Sequence, residues 1–313
     1  MNGLSLIKIL AMKKYISTIL FLSILSTIYG QQLDSIKYEL GYLYYHSYGK
    51  GETIVMLSGG PGNNALQLES VALKLSENYS IILLEQRGTG ISIPTQFDST
   101  TITLKTSISD INLLLAHLKI PKTILLGHSW GGSLAMIYAS QFPKKVKSLV
   151  LIAPGYFSLG WQCARLSTDN MLSKLGKQEE EQFLDLTNKS RLNTIAETER
   201  KELAKLRRLP YIFNKSKIDS LMPLFNVQRN DRMFNIMVTD AMKYNFDMQK
   251  DLQKIESPIH LICGRQDFLA YITYELKMAR PNIYLYWVDK SGHFPMHEQS
   301  EKFYSLLDKI LKM

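Results

Sequence analysis

The chain has 313 residues, of which 45% are apolar and 21% are charged, and its formal net charge is +9. This length and apolar content predict a globular protein with a sizeable core and exclude a wholly disordered chain. Two cysteines, Cys163 and Cys263, exclude a disulfide-rich scaffold and a structural zinc site built from four closely spaced ligands. Their pairing is left open, with two free thiols favoured because Cys263 falls in a predicted buried strand.

Residues 1–30 have the pattern of a secretory signal peptide. Three lysines and no acidic residue accompany an uncharged run, Tyr15–Tyr29, and the small residue Gly30 precedes Gln31. We expect cleavage near Gly30 and a secreted or periplasmic protein. Translation could begin at Met12 instead of Met1. The other interpretation is a membrane anchor formed by the uncleaved segment, although the run is short for a span of about 20 residues.

The positive charge outside this segment does not predict a nucleic-acid partner. Removal of the three N-terminal lysines lowers the net charge to +6. The densest remaining basic cluster is Lys201, Lys205, Arg207 and Arg208. Glu197, Glu199 and Glu202 are interleaved with it, which is typical of ion pairs on a solvated helix. No nucleic-acid-binding motif accompanies the cluster.

Residues 31–155 alternate between strand-like and helix-like patterns and form the first part of a predicted core. Ile36–His46 predicts an N-terminal antiparallel hairpin with a turn at Gly41. Short apolar runs typical of buried parallel strands follow at Thr53–Leu57, Ser80–Leu84, Thr123–Leu126 and Val146–Ile152. Helical periodicity lies between them at Ile108–Leu118 and Leu134–Gln141. This alternation predicts a doubly wound α/β domain with a mostly parallel sheet.

The pattern changes at residues 156–249, which are charged, mostly helical in composition and poor in strand-like runs. Strand character returns at Ile259–Cys263 and Ile283–Val288, and a helical pattern over Glu298–Leu311 closes the chain. Residues 156–249 are therefore predicted to be a helical cap insert, and residues 250–313 the second part of the core.

The strongest catalytic signal is Gly127-His128-Ser129-Trp130-Gly131-Gly132. It matches G-x-S-x-G, follows an apolar strand and precedes a helical run, which is the context of a nucleophile elbow. Ser129 is therefore the candidate nucleophile. His128 beside it is expected to point away from the serine hydroxyl.

A serine nucleophile needs a base, and the base needs an acid that orients it. Triads built on a nucleophile elbow have the chain order serine, acid, histidine. Asp267 and then His293 follow Ser129 in this order, and each comes just after a predicted strand. We predict that His293 is the base and Asp267 the orienting acid. His293 and His297 have the spacing of a helical metal pair, but Pro295 argues against a helix there, so no metal is predicted.

The acyl oxygen of a substrate needs hydrogen-bond donors as it becomes negative. The backbone N–H of Trp130 is one candidate, because it follows the nucleophile. The second candidate is the N–H of Gly60 in the loop Gly59-Gly60-Pro61-Gly62, where glycines permit close approach to a substrate. The alternative is that this loop is only a tight turn.

Five motifs carry a family resemblance: Gly59-Gly60-Pro61-Gly62, Glu85-Gln86-Arg87-Gly88-Thr89-Gly90-Ile91-Ser92, Gly127-His128-Ser129-Trp130-Gly131-Gly132, Gly264-Arg265-Gln266-Asp267 and Gly292-His293. Together they resemble the proline iminopeptidase-like (prolyl aminopeptidase) serine peptidases. The resemblance implies an α/β-hydrolase fold with an inserted helical cap that shapes the substrate pocket. It also implies Ser129, Asp267 and His293 as the triad, with Trp130 and Gly60 at the oxyanion hole.

The sequence departs from this family at Ser58, where a histidine is usual, and at Glu85, where an aspartate is usual. The cap also has no Trp–Glu pair, although the resemblance implies that cap carboxylates hold the substrate's amino group. The candidate substrate-binding residues are Gly59, Glu179, Glu180 and Asp240, with Glu181 and Asp247 as further carboxylates. An acidic run is also typical of a solvated helix face.

These features predict a serine hydrolase, with an aminopeptidase that releases an N-terminal residue such as proline as the leading hypothesis. A small-molecule carboxylesterase or lactone hydrolase could use the same triad. A non-catalytic binding protein on a hydrolase fold is the alternative from another class. The expected partner is a small peptide, ester or amide, with no cofactor, no nucleic acid and no stable membrane span after signal removal. The oligomeric state is left open.

Overall fold

An eight-stranded sheet forms the centre of the protein. A computed structural model describes residues 31–155, 161–225, 228–243 and 248–313, so the predicted signal segment lies outside the described residues. The strands are β1 Gln32–Tyr38, β2 Gly41–Tyr48, β3 Thr53–Leu57, β4 Ser80–Leu84, β5 Thr123–His128, β6 Val146–Ile152, β7 Ile259–Gly264 and β8 Tyr284–Val288. Their spatial order is β1-β2-β4-β3-β5-β6-β7-β8.

The pairing confirms the predicted mostly parallel sheet. β1 and β2 form an antiparallel hairpin at one edge, and β2 is also antiparallel to β4. Every pairing from β4 through β3, β5, β6 and β7 to β8 is parallel. The hairpin turn falls at residues 39–40, one position earlier than predicted, and Gly41 opens β2.

Helices cover both faces of the sheet. Three lie between consecutive strands from β3 to β6: α1 Glu69–Leu75, α2 Leu104–His117 and α3 Trp130–Gln141. Between β6 and β7 lie α4 Trp161–Ser173, α5 Lys177–Arg191, α6 Glu197–Arg208, α7 Ile218–Phe225, α8 Asp231–Ala241 and α9 Met248–Gln253. After β7 follow α10 Ala270–Ala279, α11 Pro295–Glu298 and α12 Ser300–Leu311.

Alternate strand residues enter two separate hydrophobic clusters, one on each face. In β3, Val55 and Leu57 belong to one cluster, whereas Ile54 and Met56 belong to the other. All four are fully buried. Continuous apolar runs therefore fold as central strands here because both of their faces are covered.

Helix boundaries differ from the sequence prediction where capping decides them. α2 begins at Leu104, four residues before the first periodic apolar residue, because Thr103 and Thr106 form a capping box. The predicted last helix is divided at Gln299 into α11 and α12.

Helices α4–α9 occupy the position of the predicted cap insert, whose boundaries stay predictions. Burial is sparse in two of these helices, since α5 buries Leu186 alone and α6 buries Leu203 and Leu206. Within the described part of the chain, no helix combines the length and apolar character that crossing a membrane requires.

Candidate active site

The turn between β5 and α3 holds Ser129 in a strained conformation. Its φ is +52° and its ψ is −121°, a region that side-chain-bearing residues rarely occupy. The flanking glycines explain why the turn can form. A Cβ on Gly127 would collide with the carbonyl of Gly131, and one on Gly131 would collide with the carbonyl of Leu57. These contacts hold Ser129 at the carboxyl end of β5.

Asp267 and His293 form a buried pair beyond the carboxyl ends of β7 and β8. The Nδ1 atom of His293 lies 2.7 Å from Oδ2 of Asp267, and both side chains are at most 3% exposed. The other oxygen of Asp267 accepts a hydrogen bond from the backbone N–H of Leu269 at 3.0 Å. Both oxygens of Asp267 are therefore engaged, which fixes the orientation of the His293 ring.

Ser129 lines a cavity of about 330 Å³. Tyr211 lines the cavity together with Ser129, and its ring packs edge-on against His293 with a centroid distance of 5.2 Å. The backbone N–H of His293 donates to the carbonyl of Tyr211 at 2.7 Å. Tyr211 therefore places the Asp267–His293 pair next to the cavity that Ser129 lines.

The cavity wall is mainly apolar. Apolar side chains that line it include those of Pro61, Trp130, Met171, Phe234, Val238, Ala241, Met242, Phe268 and Leu269. Hydroxyl groups come from Ser129, Ser133, Ser167, Thr168 and Tyr211. No charged side chain of the described residues lines it. The site is therefore suited to a small and largely apolar group next to the serine.

Residues 52–300 match the family model of the alpha/beta hydrolase fold. The chain belongs to this family. A proline iminopeptidase from Heyndrickxia coagulans is 27% identical over 84% of this chain and 91% of its own length. A solved proline iminopeptidase-related protein from Thermus thermophilus superposes with a TM-score of 0.70 at 20% identity, covering 90% of this chain and 98% of that one.

An esterase structure from Exiguobacterium antarcticum superposes with a TM-score of 0.63 at 21% identity, covering 87% of this chain and 96% of that one. At these identities both solved structures show the fold alone. Because an esterase and a proline iminopeptidase-related protein both share the fold of this α/β hydrolase, its substrate has to be argued from its own site.

In this α/β hydrolase the loop Gly59–Gly62 lies against the nucleophile turn. A Cβ built on Gly59 would be 3.1 Å from Cβ of Ser129, and the N–H of Gly59 donates to Gln67 Oε1 at 2.6 Å. Gly60 has a φ of +119°, and it lines the cavity together with Trp130. Trp130 is the first residue of α3, where backbone N–H groups have no partner within the helix.

Gln86 connects two of these motifs, a role that the sequence analysis missed. Its Nε2 donates to the carbonyl of Ser58 at 2.9 Å, and its Oε1 accepts from the indole N–H of Trp130 at 3.1 Å. Ser58, which stands where the resembled family has histidine, donates to the carbonyl of Asn63 at 3.0 Å. Gln86 therefore ties the glycine loop to the start of α3.

His128 contacts both the backbone and the ring of His293. Its Nε2 lies 3.0 Å from the carbonyl of His293, and the two rings are 4.9 Å apart. Burial, followed by the proximity of His293, holds the pKa of His128 well below its usual range. His128 is therefore neutral, with its proton on Nε2 for donation to that carbonyl.

Glu298 joins the His293 loop to the helices between β6 and β7. Its two oxygens accept from the backbone N–H groups of Gly292 and Phe213, each at 2.7 Å. The contact with Phe213, 85 residues away in the sequence, could not be predicted from the local pattern around Glu298.

The candidate amine anchors have other partners. Glu179 accepts from Lys215 at 2.5 Å and from the N–H of Gly176 at 2.7 Å, so it stabilises the start of α5. Asp240 accepts from the N–H of Leu104 at 2.8 Å. Glu180 lies half-buried in the first turn of α5. None of the three lines the cavity, and Asp247 lies outside the described residues.

No helix contains both His293 and His297, as the position of Pro295 predicted. Pro295 is the first residue of α11, where the missing N–H of proline costs no intrahelical bond. His293 precedes that helix, so His293 and His297 do not share one of its faces. Over the described ranges, no group of three or more His, Cys, Asp or Glu is arranged to hold a metal ion.

Proposed function

We propose that this α/β hydrolase is a serine hydrolase in which Ser129 is the nucleophile, His293 the general base and Asp267 the acid that orients it. The buried Asp267–His293 hydrogen bond of 2.7 Å beside a serine at φ +52° carries this proposal. Asp267 accepts the Nδ1 proton of His293, which leaves Nε2 free to take a proton.

His293 removes the proton of the Ser129 hydroxyl as its oxygen attacks the acyl carbon of the substrate. The N–H groups of Trp130 and Gly60 stabilise the negative oxygen that develops. The intermediate collapses when His293 returns the proton to the leaving group, which departs and leaves an acyl-enzyme. Water, deprotonated by His293, then attacks the ester and releases the acid and the free serine.

For the substrate, we propose an N-terminal residue such as proline, so that the enzyme is an aminopeptidase. The similarity to the H. coagulans protein extends over most of both chains and supports this choice. The apolar cavity suits the pyrrolidine ring. Helices α4–α9 act as the cap in this proposal, since Met171, Tyr211 and Phe234 from this part of the chain line the cavity.

A carboxylesterase or lactone hydrolase is the second candidate, and one observation favours it. No carboxylate of the described residues lines the cavity, so a protonated amine bound there has no charged partner among them. An uncharged acyl group would lose less solvation on entering.

Labelling with a fluorophosphonate tests the nucleophile, with Ser129→Ala as the control. Loss of labelling in the variant alone supports Ser129, whereas an unlabelled wild-type protein would favour a non-catalytic binding protein. Proline naphthylamide, its N-acetyl derivative and a p-nitrophenyl alkanoate ester then separate the substrates. Hydrolysis of the free-amine amide alone supports the aminopeptidase. Hydrolysis of the ester with neither amide cleaved supports the esterase.

We further propose that residues 1–30 are removed as a signal peptide on export. Their three lysines and uncharged apolar run support this. The intact mass of the protein recovered from its natural host tests it. A chain beginning at Gln31 is expected, and a retained segment would favour the membrane anchor.

A further inference from the structure

We propose that Arg207, Arg208 and Arg229 form a subsite for a carboxylate group of the substrate, beside the candidate catalytic cavity. This inference rests on the proposed function, because it identifies the group that the substrate of Ser129 carries away from its scissile bond. The three arginines line a second cavity of about 380 Å³, together with Met171, Phe183 and Tyr211.

The two cavities are neighbours. Met171 and Tyr211 line both of them, and the ring of Tyr211 also packs against His293. Arg229 extends the connection, because its guanidinium carbon lies 4.9 Å from the ring centre of Phe234, which lines the catalytic cavity. A substrate whose scissile bond is at Ser129 would therefore have its next groups within reach of the arginines.

The arginine cavity carries excess positive charge. Arg229 pairs with Asp231 at 2.5 Å. The causes that shift the pKa values of Arg207 and Arg208 include burial and nearby charges but no side-chain hydrogen bond to the described residues. Burial lowers the pKa of Arg208, and the neighbouring guanidiniums of Arg229 and Arg207 lower it further. Three clustered guanidiniums with one carboxylate form a site that an added anion would stabilise.

The chemistry of the site selects a carboxylate over an amine. Guanidinium groups bind carboxylates through paired, charge-assisted hydrogen bonds, whereas they repel an ammonium group. The free C-terminal carboxylate of a short peptide and the acid group of a half-ester share this chemistry. Both would be preferred over their neutral analogues.

Calorimetric titration of the Ser129→Ala protein measures this preference without turnover. The first ligand pair is prolyl-alanine and prolyl-alaninamide, and the second is monoethyl and diethyl succinate. In at least one pair, the carboxylate form is expected to bind roughly 10- to 100-fold more tightly, the range for hydrogen bonds to charged groups. The ratio of the two dissociation constants in that pair should fall towards one when Arg207→Gln and Arg208→Gln are both introduced into the Ser129→Ala protein. The matched control is Arg200→Gln, an exposed arginine on the same helix, which should keep it.

Inorganic phosphate is titrated alongside to distinguish the sources of the anion. Equal binding within both ligand pairs would overturn the subsite, even if fluorophosphonate labels Ser129 in the parent protein. Tight phosphate binding together with equal binding within both pairs would identify a free-anion site and would also overturn the substrate assignment. A preference that survives the double arginine substitution would place the carboxylate elsewhere. Failure of Ser129 labelling alone would instead count against the proposed function.

Discussion

The carboxyl edge of the sheet and helices α4–α9 are stabilised in different ways. At the sheet edge, β5 is buried at every position, and Asp267 and His293 are almost completely enclosed. Among the helices, α5 has one buried residue, and exposed ion pairs connect it to its neighbours. The difference suggests a rigid edge for the reacting groups and a more adaptable wall for substrate selection.

Backbone hydrogen bonds join the two regions at a few points. His293 donates to the carbonyl of Tyr211 at 2.7 Å, and Asn230 donates to the carbonyl of Gly62 at 2.8 Å. Each bond connects a loop of the candidate site to the segment between β6 and β7. The helical region is thus held where it contacts the site, although its outer surface is held weakly.

The largest expected effect comes from Asp267→Asn at the sheet edge. The amide oxygen can still accept from Leu269, so stability should change little, but the amide NH₂ would face His293 Nδ1. His293 would then carry its proton on Nε2 and could not accept one from Ser129, lowering kcat by about 10⁴-fold. Steady-state kinetics and thermal unfolding of the same preparation measure both. Nearly full activity would show that another acid orients His293.

Sequence reasoning was effective for the sheet edge because short-range patterns determine it. Apolar runs marked the parallel strands, and the glycines around Ser129 are those that the collision of a Cβ with backbone requires. The pairing of Asp267 with His293 could be predicted from chain order and strand ends, since parallel strands bring these ends together.

The helical region and the supporting residues could not be derived in the same way. Glu179 and Asp240 looked like amine anchors, but their oxygens bind backbone N–H groups at the starts of α5 and α2. Gln86 and Glu298 act through partners 28 and 85 residues away, which no local pattern encodes. The contrast follows from physics, since periodicity reports burial whereas hydrogen-bond partners depend on tertiary packing.

Lowering the pH should lower the free energy of unfolding, because the partly buried His297 is protonated more readily in the unfolded chain. Burial lowers the pKa of His297 to about 4, from a value near 6.5 in the unfolded chain. The unfolded state then binds more protons, so stability is full above about pH 6.5 and falls with decreasing pH, by about 2 kcal/mol at pH 5. Urea unfolding of His297→Gln should show a flatter pH dependence, whereas His117→Gln, on the exposed side of α2, should keep the wild-type slope. Parallel curves for all three proteins would refute this assignment.

Glu298→Ala tests the junction between the two regions. It removes the acceptor for Gly292 and Phe213, so it should lower the free energy of unfolding by about 2 kcal/mol. It should also reduce kcat, because the His293 loop loses one of its connections to the helices. Glu301→Ala, an exposed acid in the first turn of α12, is the matched control. Equal effects of the two variants would argue against a specific role for Glu298.

The smallest effect is expected within the helical region itself. Lys189 pairs with Asp185 of its own helix at 2.9 Å, and it connects α5 to α6 through an ion pair with Glu199 at 2.8 Å. All three side chains reach solvent, so water and salt screen their attraction. Each pair also requires two flexible side chains to become ordered, which costs conformational entropy. Lys189→Met should therefore change Tm and kcat far less than Glu298→Ala, and added salt should reduce the difference further. A loss of stability as large as that of Glu298→Ala would mean that surface charge, and not the backbone contacts at the junction, holds these helices on the site.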